Sequence, residues 1–203
     1  MNITTKLLEE LNACTEGVDA FLEAFPAGEA TWAECVKAAK TAEEKERLHL
    51  VWLSVGCPAE VGGATWEARL ALQHNNAERA RLGRNCPAGV KGTTWEARMA
   101  AQRDDGDRAW LGRECPAGVK GATWEARMAA QRDDWERALL GRLCPAGVEG
   151  ATFEARLAAQ CDDWGRTMLG RHCPAEVEGA TFEARLALQR DDVGQEYVKR
   201  NFS

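Results

Sequence analysis

The stretch Cys115 to Leu143 reads CPAGVKGATWEARMAAQRDDWERALLGRL, and close copies of it follow one another head to tail with a period of 29 residues. The copies begin at five cysteines: Cys57, Cys86, Cys115, Cys144 and Cys173. A fixed period of roughly 20 to 50 residues is typical of repeat proteins, in which each repeat is one supersecondary unit. The period therefore decides the fold class before any single element is assigned.

Each copy is predicted to form a loop and two short helices. In the copy at Cys115, one Pro and two Gly keep the first eight residues, CPAGVKGA, out of regular secondary structure. Thr123 is the predicted N-cap of a helix A over WEARMAAQR. Asp133 or Asp134 is then predicted to end helix A and cap a helix B over WERALLGRL. Little β-branched content and no alternating pattern argue against β-structure.

The apolar positions indicate how the copies pack. Trp135, Leu139, Leu140 and Leu143 are the predicted apolar side of helix B. A pair of helices this short cannot bury its apolar side alone, but stacked copies cover one another. We therefore predict an all-α fold, an α-solenoid of tandem 29-residue helix-turn-helix repeats. Two buried ladders are expected, an aromatic one on helix A (Trp66, Trp95, Trp124, Phe153, Phe182) and a valine one in the loops (Val61, Val90, Val119, Val148, Val177).

The predicted organisation has two parts. Residues 1–56 form a divergent helical N-terminal cap module, and residues 57–203 form five αα repeats, at 57–85, 86–114, 115–143, 144–172 and 173–203. In the cap module, Thr4 or Thr5 and Thr15 are expected to be the N-caps of helices. Capping boxes are expected at Thr31 with Glu34 and at Thr41 with Glu44. The segment FPAG, followed by Thr31 and Trp32, resembles the CPAG and TW of the later copies. This similarity indicates a diverged copy of the repeat in the cap module.

Charge and cysteine content limit the classes of partner. The net charge is −6, and residues 1–56 hold ten acids against five bases, which disfavours nucleic acid because a phosphate-backbone binder needs a basic face. No signal peptide or apolar run of membrane-spanning length is recognised, so we expect a cytoplasmic protein, of a bacterium or an infected host cell, with no membrane contact.

The five repeated cysteines are expected to be buried free thiols, because stacked helices lie too far apart for disulfides. Cys161 stands where other copies have Arg and is expected to be exposed.

No catalytic or metal-binding constellation is found. The chain lacks GxGxxG, GxxxxGK[ST], HExxH and GxSxG motifs, and its three His lie in unrelated contexts. We therefore expect no enzyme activity, no cofactor and no metal.

Two sets of residues are candidates for contact with a partner. The first is an arginine repeated on helix A, represented by Arg98, Arg127 and Arg156; we favour a structural role, paired to an Asp of the same or the next repeat, over a stripe that holds an acidic ligand. The second is the variable apolar side of helix B. If helix B lines an open face, these residues shape partner contact; we favour the alternative, that they adjust stacking between unlike neighbours. Its candidate residues are Trp110, Trp135 and Trp164.

The N-terminal segment LLEELNACTEGVDAFLEAF, followed by ATWAECVKAA, resembles the start of small helical proteins encoded by tailed phages and prophages. Matching residues are Asn12, Ala13, Cys14, Gly17, Thr31 and Trp32 in this segment, and Trp124, Glu125, Asp134, Trp135 and Leu140 in the repeats. The resemblance implies no activity. It implies a phage-encoded origin and a role in manipulating host proteins.

These observations predict a non-enzymatic protein–protein interaction module, in its sharpest form a phage or bacterial accessory protein that inhibits a host defence protein. One alternative is nucleic-acid or acidic-ligand binding along the repeated arginines. Another is a structural protein that self-assembles by stacking its repeats. The identity of the protein partner and the oligomeric state are left open by the sequence.

Overall fold

The computed structural model describes residues 1–39 and 44–202, without the side chains of residues 44–48. The described chain is an all-α repeat fold, as the 29-residue period predicts, with almost no strand. It divides into two compact units. Unit 1 is Met1–Thr93, and unit 2 covers the rest of the chain from Thr94 onwards.

Unit 1 holds the divergent N-terminal helices and the first repeat. Its elements are β1 (Ile3–Thr4), α1 (Thr5–Glu10), α2 (Thr15–Ala24), β2 (Glu29–Ala30), α3 (Trp32–Ala39), α4 (Glu44–Gly56), α5 (Trp66–Leu70) and α6 (Asn76–Asn85). The two-residue strands β1 and β2 pair antiparallel, a short sheet that the sequence does not predict. Trp32 on α3 is buried, and the Arg69 guanidinium lies 5.7 Å from its ring centroid. The hairpin of α3 and α4 thus supplies the aromatic residue that a preceding repeat would supply.

Unit 2 consists of four helical hairpins. Its elements are α7 (Trp95–Ala100), α8 (Asp105–Glu114), α9 (Trp124–Ala129), α10 (Asp134–Leu143), α11 (Phe153–Ala158), α12 (Asp163–His172), α13 (Phe182–Ala187) and α14 (Asp192–Phe202). Helix A of each repeat is shorter than predicted, since α9 ends at Ala129 rather than at residue 132. The B helices α8, α10, α12 and α14 pack side by side along the unit.

Side-chain caps set the starts of the repeat helices. The Thr123 hydroxyl accepts from the backbone N–H of Ala126, and Asp133, the first of the two aspartates, accepts from the N–H of Glu136 at 2.8 Å. In the N-terminal helices Thr4 caps α1, and Thr31 forms the predicted capping box with Glu34. The prediction for α2 is wrong, because its N-cap is Cys14, which makes no side-chain cap bond. The box predicted at Thr41 lies outside the described residues.

Both predicted ladders form the core. The five loop valines are buried, as are the helix-A aromatic residues from Trp66 to Phe153, whereas Phe182 in the last copy is half-buried. The backbone N–H of the first helix-A residue donates to the loop of the next repeat, as from Trp124 to the carbonyl of Glu149 at 2.8 Å. Each loop therefore covers the helix-A start of the copy before it. The five repeated cysteines are buried free thiols, and Cys161 is exposed, as predicted.

Candidate interaction surface

The repeated helix-A arginines lie inside the protein. Arg98, Arg127 and Arg156, predicted as candidate partner contacts, each have 0% of their surface exposed. A side chain without exposed surface cannot reach an external ligand. The prediction of partner contacts by these three arginines is therefore wrong, and so is the stripe for nucleic acid or an acidic ligand.

The buried guanidinium groups bind backbone carbonyls rather than the predicted aspartates. Arg127 donates from Nη1 to the carbonyls of Gly112 at 2.9 Å and Cys115 at 2.8 Å, from Nη2 to Pro116 at 3.0 Å, and from Nε to Ala122 at 3.0 Å. The same four bonds recur at Arg69, Arg156 and Arg185. The arginine thus joins helix A to the end of the preceding helix B.

Helix ends explain why a cation suits this position. The last carbonyls of a helix have no partner within the helix, and they carry partial negative charge. The Cys-Pro loop that follows each helix B also has no N–H at its Pro. The guanidinium of Arg127 supplies donors to this end of α8, and its Cζ lies 5.9 Å from the ring centroid of Trp95. The buried charge of Arg127 is thus compensated by four carbonyl oxygen atoms and an aromatic face.

A repeated glutamine, which the sequence analysis does not single out, completes this contact. Nε2 of Gln160 donates to the carbonyl of Arg156 at 3.0 Å and to that of Ala138 on helix B of the preceding repeat at 3.2 Å. Gly141 makes room for it, because a Cβ there would overlap Gln160 Nε2 and lie 3.0 Å from the Arg156 carbonyl oxygen. Gly141 is therefore a close-approach position inside α10.

The helix-B tryptophans lie on the surface of unit 2. Trp110, Trp135 and Trp164 are 50%, 64% and 62% exposed, and they project from α8, α10 and α12. We call the outward side of the B helices in unit 2 the helix-B face. Its exposed apolar residues are Trp110, Trp135, Leu143, Trp164, Val193 and Tyr197.

The exposure of this face corrects two expectations. Trp135 and Leu143 do not belong to the buried side of α10, where Glu136, Ala138, Leu140 and Gly141 pack instead. The favoured interpretation, that the variable helix-B positions adjust stacking, is therefore wrong for both residues. Small residues on the packed side let α10 approach its neighbours closely, which turns the larger side chains outward. The role of the three tryptophans in partner contact stays a prediction.

Neighbouring polar groups support these rings without covering them. The Cζ of Arg142 on α10 lies 5.0 Å from the ring centroid of Trp164 on α12, a distance typical of a cation–π contact. The rings of His172 and Tyr197 are 6.1 Å apart. Exposed charges at the starts of the B helices pair locally, as Arg137 does with Asp134 at 3.0 Å. The helix-B face is thus aromatic, with locally balanced charge.

One carboxylate beside this face is almost fully buried. The side chain of Glu136 is 6% exposed and forms an ion pair with Arg132 at 2.7 Å. The hydrogen bond from the Arg132 side chain, together with that from its backbone N–H, lowers the pKa of Glu136 below its ordinary value. The backbone N–H of Glu136 donates to the side chain of Asp133, the N-cap of α10. The Glu136 carboxylate accepts from the backbone N–H of Arg132, so the ion pair of Glu136 and Arg132 stabilises the turn between the two helices of one repeat.

Burial favours the neutral form of three repeated thiols, those of Cys57, Cys144 and Cys173. Burial raises the pKa of Cys57 to about 11 and also raises the pKa of Cys144 and Cys173. A neutral buried thiol is neither a nucleophile nor a metal ligand. Across the described residues, no group of three or more His, Cys, Asp or Glu side chains is placed to hold a metal ion.

Comparison of the chain with protein families, with curated proteins and with solved structures found no match. Within the described part of the chain, no helix has the length and apolar character needed to cross a membrane.

Proposed function

We propose that this protein is a non-enzymatic interaction module that binds a protein partner through the helix-B face of unit 2. The observation that carries the proposal is the exposure of three tryptophans on successive B helices, at 50% to 64%. Tryptophan is enriched among the residues that contribute most to protein–protein binding. Large contiguous exposed apolar patches on soluble proteins mark interaction sites.

The size of the patch supports a partner larger than a small molecule. If a whole tryptophan side chain presents on the order of 200 Å², the three rings together leave roughly 350 Å² of apolar surface in water. That sum lies within the range of about 300 to 600 Å² that the largest patch of a typical monomer covers. Burying the exposed part of one such ring would contribute about 3 kcal/mol at 25 cal/mol per Å².

The biological setting is proposed from the sequence resemblance. We propose a phage or bacterial accessory protein that acts in the cytoplasm and inhibits a host protein. In its most specific form, the proposal is that the inhibited protein belongs to a host defence system. The N-terminal residues Asn12, Ala13, Cys14 and Gly17, with Trp32, carry that resemblance.

A capture experiment with matched variants tests the proposal. Immobilised wild-type protein is compared with Trp135→Ala/Trp164→Ala in lysate of the native host, with bound proteins quantified by mass spectrometry. The control is Arg137→Ala/Arg166→Ala, which changes exposed charges on the same two helices. We expect one protein to be retained by the wild type and the control and to fall at least 30-fold with the tryptophan variant. Equal retention by all three proteins would contradict the helix-B face as the binding surface.

Self-assembly is the second proposal, and the same aromatic face supports it. Exposed tryptophans on one copy could pack against those on another, whereas end-to-end stacking is disfavoured because Phe202 covers the Arg185 guanidinium at 4.1 Å. Light scattering across a concentration series separates the two proposals. A mass that stays at 22.3 kDa over the series would contradict self-assembly.

A further inference from the structure

A cavity of about 700 Å³ lies in unit 1 among α1, α2, α3 and α4, and its described lining residues all belong to this unit. This volume is in the range of about 300 to 1,000 Å³ that small-molecule sites occupy. The cavity borders the apolar core of the unit, since Leu8, Leu50 and Leu53 belong to both. It is therefore a recess into the core rather than a shallow depression between surface side chains.

The sequence of α2 explains why the space is open. α2 presents Val18 and Phe21 on one side, and Phe25 follows directly after its end, yet no residue of α2 is buried. The residues between and opposite the rings are small: Ala13, Ala20 and Ala24, with Ala38 and Ala39 on α3, all line the cavity. Alanine side chains leave unfilled the volume that larger residues would occupy in a packed core.

The chemistry of the wall selects a type of ligand. Phe21, Phe25 and Trp52 supply aromatic surface, and the rings of Phe21 and Phe25 lie 5.1 Å apart. No Asp, Glu, Lys or Arg is among the described residues that line the cavity. Against these described residues, a fully charged ligand would lose its hydration without gaining a counter-ion.

Two polar side chains offer a hydrogen bond. His49 and Asn12 both line the cavity. Gly17 lets the His49 ring approach α2, because a Cβ on Gly17 would lie 3.0 Å from His49 Nδ1. An apolar wall with a few placed polar groups is the usual composition of a small-molecule site.

We propose that this cavity binds a neutral, largely apolar small molecule. An aromatic or aliphatic ring system lies against Phe21, Phe25 and Trp52, and one hydrogen-bonding group reaches His49 or Asn12. This inference is independent of the helix-B face.

The test uses the full chain, the neutral aromatic amine N-phenyl-1-naphthylamine as probe, and the two exposed cysteines as reporters. Cys14 lines the cavity, whereas Cys161 lies in unit 2 and serves as the internal control. We expect saturable fluorescence enhancement at one site per chain. We also expect saturating probe to slow iodoacetamide alkylation of Cys14 at least fivefold, measured by peptide mass spectrometry, with Cys161 unchanged.

A matched pair of variants adds a second measurement. Ala20→Phe places a ring in the cavity and should weaken probe binding at least tenfold, whereas Ala33→Phe, at an exposed position of α3 outside the cavity, should leave it unchanged. If Ala20→Phe does not fold, Cys14 protection in the wild type still decides. The proposal is overturned by absence of saturable binding, by equal slowing of both cysteines, or by binding that leaves Cys14 alkylation unchanged.

Discussion

Replacement of Arg127 by alanine should strongly destabilise unit 2. Arg127 is fully buried and donates four hydrogen bonds to carbonyls of Gly112, Cys115, Pro116 and Ala122. The alanine variant leaves those oxygens without this donor and opens a cavity beside Trp95.

The magnitude follows from two opposing effects. Hydrogen bonds from a charged group contribute about 1.5 to 3 kcal/mol each, so the four bonds represent roughly 6 to 12 kcal/mol before desolvation. Removing a guanidinium from water costs several kcal/mol, which offsets much of that gain. We therefore expect the free energy of unfolding to fall by about 3 to 5 kcal/mol, the usual cost of breaking a buried charged contact.

Urea denaturation followed by circular dichroism at 222 nm measures this change. Arg137→Ala is the matched control on the next helix, because its side chain is 43% exposed and pairs with Asp134 on the surface. The control should lose about 0.5 kcal/mol or less. Arg127→Lys should recover less than half of the loss, since one ammonium cannot reach four carbonyls that a planar fork spans. A loss below about 1 kcal/mol for Arg127→Ala would refute the structural role of the buried arginines.

Three further changes test other parts of the fold. Gly141→Ala should lower stability although alanine is about 1 kcal/mol better in a helix, because its Cβ would overlap the Gln160 amide; a stabilised variant in urea denaturation would contradict this close contact. Phe202→Ala should destabilise the last hairpin by about 1 to 2 kcal/mol by uncovering Arg185, measured as faster amide hydrogen exchange in α13 and α14. Val193→Ala is the control, because Val193 is 76% exposed, and it should leave the exchange rates in α13 and α14 unchanged. The lowered pKa of Glu136 means that ionised Glu136 stabilises the fold above pH 4.5, and that this contribution is lost as the pH falls through the lowered value. The stability difference between wild type and Glu136→Gln should therefore be largest at neutral pH and shrink in acid, and a difference independent of pH would contradict the ion pair.

The sequence is sufficient to predict the all-α repeat fold, because period, caps and apolar ladders agree. Thr123, Asp133 and the buried ladder residue Trp124 are each identified by local chemistry that needs no tertiary information. The same reasoning also identifies the buried thiols, because a small apolar residue before a Pro recurs in every repeat.

The helix-B face could not be predicted reliably from the same pattern. Trp135, Leu139 and Leu143 are spaced as a packed stripe, yet α10 packs through Ala138, Leu140 and Gly141. Which of two adjacent stripes is buried depends on how closely the neighbouring helix approaches, and that depends on glycine and a glutamine from the next repeat.

The partners of the repeated arginines were also hidden in the sequence. A search for opposite charges leads from Arg127 to aspartates, whereas its actual partners are carbonyl oxygens, which every residue carries. The useful signal was the constant spacing of 12 residues between Cys115 and Arg127, repeated in every copy. That spacing places a cation at the end of the preceding helix.

The most direct test of the account compares the free energies of unfolding of Trp135→Ala and Trp124→Ala. Trp124 is 7% exposed, and its replacement by alanine should lower the free energy of unfolding by about 3 to 5 kcal/mol, as for a buried aromatic residue. The Trp135→Ala variant should lose about 2 kcal/mol or less, since Trp135 is 64% exposed and only about a third of its surface is covered by the fold. Equal losses of unfolding free energy in the two variants would mean that Trp135 packs in the core. That result would contradict a helix-B face whose tryptophans are exposed for contact with a partner.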